Sequence, residues 1–199
     1  MRGKVREERS AATVKRVLEI AEQHFAELGY KAVSTEALVR EAGLTRGALY
    51  HHFGSKQGLF EAVVRDVQNR LAQAVTLAGA AERDPWAAFV GGCHAWLETA
   101  TEPAVRQILL LDAPAVLGWE RWLALDAEGG SRLLREGVAE LVADGDIGDV
   151  HPEALTQLLN GAMNQAALWV AHAEPRDVTL KAAKLTLERL LEGLKRAGG

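Results

Sequence analysis

The chain has 199 residues, 48% of them hydrophobic and 25% charged, and its formal net charge is −4. That length holds one large domain or two small ones, and the overall acidity argues against a general polyanion binder. The single cysteine, Cys93, excludes an internal disulfide, and no apolar run approaches the ~18–20 residues that would span a bilayer.

The charge is unevenly spread. Residues 1–56 hold ten Lys and Arg against seven Asp and Glu, while the remainder holds thirteen against twenty. A basic amino-terminal module on an acidic body is the pattern of a protein whose affinity for nucleic acid is local. The first ten residues, MRGKVREERS, are polar and contain no signal peptide, so a cytoplasmic location is expected. Arg2, Lys4, Arg6 and Arg9 suit either a phosphate-tracking arm or a solvated tail.

From Ser10 to Leu28, Val14, Val17, Leu18, Ala21, Phe25 and Leu28 repeat as one apolar stripe, which predicts a helix ended by Gly29. Ser34 then caps a short helix whose Leu38 and Ala42 face inward. Gly43 supplies a positive φ at the turn and Leu44 plugs it. Thr45 caps a second short helix, Arg46 to Phe53, with Leu49 and Phe53 facing the core and His52 on the same side. Thr45, Arg46, Gly47, Tyr50 and His51 are left on the outer face. Helix, glycine turn and a short helix with a basic, hydroxyl-bearing face make a helix-turn-helix, whose second helix enters the DNA major groove.

The run Gly43-Leu44-Thr45-Arg46-Gly47-Ala48-Leu49-Tyr50-His51-His52-Phe53, followed by Ser55-Lys56 and Leu59-Phe60, resembles the TetR family of bacterial transcriptional regulators. The similarity covers roughly the first third of the chain. It implies an all-α homodimer with a three-helix DNA-binding domain, residues 1–56, and a larger helical effector-binding and dimerisation domain, residues 57–199. It also implies a phosphate contact through the Tyr50 hydroxyl and another at Lys56, where the next helix starts.

The residues themselves name further DNA candidates. Arg46 can pair bidentately with guanine O6 and N7, and Thr45 and His51 can add a hydrogen bond or methyl contact. Gly47 lets the helix approach the groove. Ser34 and Thr35, at a helix start, can hold a phosphate. The competing readings are that Tyr50 packs flat on the first helix and that Lys56 is an ordinary helix-start lysine.

Beyond Ser55, a longer helix carries Leu59, Phe60, Val63, Val64, Val67 and Leu71 inward and links the DNA module to the body. Gly58 in its first turn departs from the helix formers more usual in the family. Asp84-Pro85 opens a helix with Phe89, Cys93 and Trp96 on one face. Pro103 opens a short helix through Leu111, which Asp112-Ala113-Pro114 breaks. Trp119 and Trp122 sit on a short helical segment before Gly129-Gly130, and Ser131 to about Asp144 is amphipathic. Pro152 opens a helix to about His172, and Pro175 opens the last, to about Arg196. The stripe Leu155, Leu159, Ala162, Met163, Ala166 and the stripe Leu180, Ala183, Leu187, Leu190, Leu191, Leu194 can pair with symmetry mates into a four-helix bundle, the usual dimer contact of the resembled family.

All five tryptophans follow the DNA module, which suits a pocket for an apolar or aromatic effector. Its lining candidates are Phe89, Cys93, Trp96, Leu97, Leu109, Trp119, Trp122, Met163 and Trp169, with His94, Arg106, Asp112, Asn160 and Asn164 as polar contacts. Plain core packing is the competing reading for each. Cys93 and His94 point about 100° apart on a helix and cannot easily share a metal ion. No metal or cofactor site is expected. Nor is an enzyme expected: there is no glycine-rich phosphate loop and no nucleophile elbow. The expected function is a repressor on an inverted-repeat operator, released by its effector. A helical protein-interaction module and a co-ligand-dependent activator are the alternatives.

Overall fold

Three helix starts are fixed by local caps. Ser34, Thr45 and Ser55 each accept a backbone N–H three residues on, from Ala37, Ala48 and Gly58 at 3.1, 3.1 and 2.9 Å. They begin α2 (Thr35–Ala42), α3 (Arg46–Phe53) and α4 (Lys56–Ala80). The computed structural model describes residues 2–148 and 150–196, and of residues 2–11 the backbone alone. The side chains of Arg2, Lys4, Arg6 and Arg9, the candidate DNA arm, lie outside the described residues.

The first helix, α1, runs Arg2–Ala32, longer at both ends than its apolar stripe. Gly29, at φ 73°, kinks it without ending it. Leu28, one residue before the kink, is exposed although the stripe places it inside. Val17, Ala21 and Phe25 are buried, and Phe25, Tyr30 and Phe60 form an aromatic cluster with centroids 5.0–5.8 Å apart. Gly58 has a direct steric cause. A Cβ there would stand 2.0 Å from the Phe53 carbonyl oxygen, so only glycine lets α4 start hard against the end of α3.

The body follows as α5 (Pro85–Ala100), α6 (Pro103–Val105), a π-helical stretch (Arg106–Asp112), α7 (Ala113–Leu117), α8 (Trp119–Glu128), α9 (Gly130–Ala143), α10 (Pro152–Ala171) and α11 (Arg176–Glu192). Asp84 caps α5 by accepting the Ala87 N–H at 2.8 Å. Helix α4 packs along α5 and also touches α1, α3 and α9, so it belongs to both halves. Among the described residues there is no strand beyond an isolated bridge between Ile147 and Lys195.

The break expected at Asp112-Ala113-Pro114 does not occur. The chain widens into a π turn in which the Ala113 N–H reaches Ile108 O, five residues back. Pro114 has no N–H to give Leu110 O, and the wider turn accommodates its ring. The Leu109 carbonyl, released from the α ladder, accepts the Trp122 indole N–H at 2.9 Å. The same turn aims Asp112 at the kink, where its Oδ2 accepts the Tyr30 N–H at 2.8 Å. Lys56 Nζ donates to Tyr30 O at 2.6 Å, so the residue after the kink is held from two sides. Asp112→Ala would leave the part-buried Tyr30 N–H unpaired. A loss of about 1–3 kcal/mol in urea unfolding is expected.

Ion pairs also tie α4 to its neighbours: Arg70 to Glu22 of α1, Arg65 to Glu128 of α8, and Glu61 to Arg121 of α8. The Arg121 hydrogen bond holds the Glu61 carboxyl below its ordinary range.

Candidate nucleic-acid interface and ligand cavity

The outer face of α3 is built from α2 and α3 together. Leu38 and Leu49 are fully buried and lock the two helices to the core, and Gly43 turns between them at φ 66°. That leaves Thr45, Arg46, Gly47 and His51 exposed. Arg46 is held at two nitrogens. Its Nη1 donates to Glu36 Oε1 at 3.1 Å and its Nη2 to the Tyr50 hydroxyl at 3.3 Å, with the guanidinium carbon 5.4 Å from the Tyr50 ring centroid. The Tyr50 hydrogen bond, then the nearby charges, hold the guanidinium even more firmly protonated than usual. Because the Tyr50 oxygen accepts from Arg46, its own O–H proton stays free to donate outward.

Three residues sit differently from expectation. Thr35 is buried, so its side chain does not stand out from the helix start. Lys56 is turned inward: its ammonium is bound to Tyr30 O and lies 4.3 Å from the Tyr30 ring centroid. Burial pulls its pKa down. His52 is exposed, not core, with its ring 5.7 Å from that of His51 and 6.2 Å from that of Phe53.

The helical body contains a cavity of about 390 Å³ between α4, α5 and α9. Its walls include Val75, Phe89, Cys93, Trp96, Leu133, Leu134, Leu141 and Met163, and its mouth carries Glu82, Arg83, Asp84, Glu136 and Glu140. Four of the expected lining residues are there: Phe89, Cys93, Trp96 and Met163. The others are elsewhere. Leu97 faces a groove between α10 and α11 that Trp169 also lines. His94 contacts Lys184 O at 3.2 Å, and Arg106 donates to Ala171 O at 2.8 Å. Asp112 holds the α1 kink, and Trp119 is exposed with its ring 4.8 Å from that of Trp122.

Leu109, Trp122 and Asn164 surround a separate, water-sized void with Gln68 and Asp126. Here Asp126 Oδ1 accepts from Gln68 Nε2 at 3.4 Å and Oδ2 from Asn160 Nδ2 at 3.2 Å. Asn164 donates to Asn160 at 3.3 Å. Trp96 borders both spaces. Among the described residues, no group of three or more His, Cys, Asp or Glu could hold a metal ion.

Two family models match, one described as bacterial regulatory proteins of the tetR family over residues 17–63 and one as a tetracyclin repressor-like C-terminal domain over residues 86–194. The HTH-type transcriptional repressor Rv1474c of Mycobacterium tuberculosis is 34% identical over 167 residues, 82% of this chain and 87% of that protein. The HTH-type transcriptional repressor AcnR of Corynebacterium diphtheriae is 32% identical over 154 residues, 76% and 79% of the two chains. A crystal structure of a TetR-family transcriptional regulator from Pectobacterium atrosepticum superposes with TM-score 0.76 at 34% identity, over 96% of this chain and 98% of that one. The chain belongs to the TetR family. It is a helix-turn-helix, DNA-binding regulator of transcription, and the curated relatives named above are repressors.

In this TetR-family member the sequence pattern did not reveal the α9 wall of the cavity, Leu133, Leu134, Gly137 and Leu141. The readable signal was small residues within helices: Gly92, Gly130 and Gly137 all border the space. Nor did it single out Gln68 and Asp126, whose burial depends on tertiary placement.

Cys93 is a buried part of the cavity wall. Burial pushes its thiol up to about 12. At pH 8 the thiolate fraction is then roughly 10⁻⁴. Iodoacetamide should leave the folded protein unmodified for hours and label it in urea, as read by mass spectrometry. Because the native thiol holds its proton more tightly than the unfolded one, this contribution to stability is lost as pH rises above the ordinary thiol value of 9.0.

Asp126 behaves similarly for a carboxyl. Burial raises its pKa, against the lowering effect of hydrogen bonds from Asn160, Gln68 and Ser131. The native state therefore binds this proton more tightly than the unfolded state, and stability falls as pH climbs through the raised native value. Asp126→Asn removes the buried charge. A melting temperature about 2–4 °C higher at pH 7 is expected, with a weaker pH dependence from acid to neutral, measured by calorimetry.

Proposed function

We propose that this regulator is a repressor that binds an inverted-repeat operator as a homodimer and leaves it when a small apolar or aromatic molecule enters the body. Residues 1–56 form the DNA-reading unit and residues 57–199 the effector and dimerisation unit. The observation that carries the reading is the outer face of α3, where a doubly held guanidinium stands exposed between two capped helix starts.

Arg46 reads base edges, with Thr45 and His51 beside it and Gly47 allowing close approach. Tyr50 donates its free hydroxyl proton to a phosphate. The starts of α2 and α4, at Ser34, Thr35 and Lys56, present backbone N–H groups to phosphate. The Lys56 side chain supports that surface from behind. Few side chains reach the bases, so phosphate contacts and DNA shape supply the remaining affinity and specificity.

The effector site is the cavity of about 390 Å³, a size that suits a small molecule. Its aromatic and aliphatic walls favour an apolar or aromatic body. Its carboxylate-rich mouth disfavours an anionic one. Dimerisation uses the outward faces of α10 and α11. The protein works in the cytoplasm on chromosomal DNA, without cofactor, metal or catalytic step.

Selection of bound sequences from random duplex DNA at two salt concentrations tests the reading. Enrichment of one inverted repeat is expected. No enrichment at either salt would overturn it.

A further inference from the structure

The exposed contact between α2 and α3 brings a carboxylate to the same surface as the base-reading guanidinium. Glu36 lies in the first turn of α2 and meets Arg46, ten residues on, at 3.1 Å. Their side chains are 65% and 61% exposed. An exposed pair of this kind adds little to stability. A negative charge on a face that must approach phosphates also opposes binding, so its presence there asks for a function on the DNA side.

We propose that Glu36 is a positioning residue that sets base specificity by holding Arg46 in its reading pose. The proposal rests on Arg46 being the base reader. A guanidinium has five N–H donors. One goes to Glu36 and one to Tyr50, so three remain, and guanine O6 and N7 take two. The count leaves Arg46 enough donors to keep both partners while it reads a base. Glu36 fixes Nη1 from α2 and Tyr50 fixes Nη2 from α3, so the fork is anchored from two helices before DNA arrives.

A free arginine would swing to the nearest phosphate and bind any sequence. The Glu36 carboxylate opposes this in two ways: it restrains the swing, and it repels phosphate when no base contact compensates. The residue exchanges general affinity for discrimination.

The test uses the inverted repeat selected by the wild-type protein, all single base-pair changes in its half-site, and a scrambled duplex of equal length. Affinities are measured by fluorescence anisotropy at roughly 0.1 M salt for wild type, Glu36→Gln, Glu36→Asp and Arg46→Ala. Glu36→Gln should bind the scrambled duplex about 3–10-fold more tightly and lose about 3–10-fold of discrimination, at the one position that Arg46→Ala also flattens. Glu36→Asp should recover part of that discrimination.

If Arg46→Ala flattens a position and Glu36→Gln leaves it intact, the positioning role is wrong and the reading of Arg46 stands. If Arg46→Ala flattens no position, the reading itself fails and the proposal falls with it. If Glu36→Gln lowers the melting temperature and weakens all duplexes alike, Glu36 serves only the start of α2, and the proposal is overturned.

Discussion

Arg46→Ala is expected to weaken operator binding by roughly 100-fold. A bidentate arginine–guanine contact discriminates by about 10-fold or more, and a symmetric dimer makes it twice. The side chain is exposed and alanine is the better helix former, so circular dichroism and melting should not change. Arg46→Lys separates the two parts of the effect. A lysine keeps the positive charge but cannot form the planar fork. Its binding to scrambled DNA, and the slope of affinity against salt, should stay near wild type while preference for the selected repeat collapses. Titrations at two salt concentrations on both duplexes measure this directly. If both variants keep wild-type preference, the outer face of α3 is not the reading surface, and attention moves to the amino-terminal arm.

What the sequence made legible is what local chemistry decides. Ser34, Thr45 and Ser55 are caps because a side-chain oxygen and an N–H three residues on need no other part of the fold. The inward positions Leu38, Leu49, Leu59 and Phe60 follow from helical period and are buried. Period fails near irregular backbone: Leu28, next to the kink at Gly29, is exposed, and the π turn carries the chain past Pro114 where a break was expected. Charge misleads at Lys56, whose ammonium serves Tyr30.

The cavity was the least legible feature. Its walls come from α4, α5, α9 and, through Met163, α10, and a tryptophan reads the same whether it lines a space, as Trp96 does, or stands on the surface, as Trp119 does. His94 and Arg106 are polar candidates for ligand contact from the sequence. They are instead committed to backbone carbonyls of α11 and α10. Hydrogen-bonding partners of that kind are set by helix packing, which no local pattern encodes.

The face of α10 and α11 supports the second large effect. Leu158, Trp169 and Leu190 are 71%, 54% and 61% exposed, and a groove of about 270 Å³ runs between Trp169, Ala162, Ala166 and Leu190. Apolar residues clustered in this way are uncommon on a free surface. In a two-fold contact every substitution enters twice. Trp169→Glu combined with Leu190→Glu would therefore place four carboxylates in one apolar interface. Sedimentation should show a monomer that keeps the wild-type helical signal, since both side chains are exposed in the single chain.

Neither α2 nor α3 packs closely against α10 or α11, so affinity for an isolated half-site should be unchanged. Affinity for the full inverted repeat should fall by about 10²–10⁴-fold, because the second half-site contact no longer benefits from the high effective concentration that a dimer provides. A variant that remains dimeric and binds the full repeat normally would remove this face from the interface. A variant that becomes monomeric yet still binds the full repeat normally would show that the two half-sites are read independently. The operator's symmetry would then not derive from the protein's.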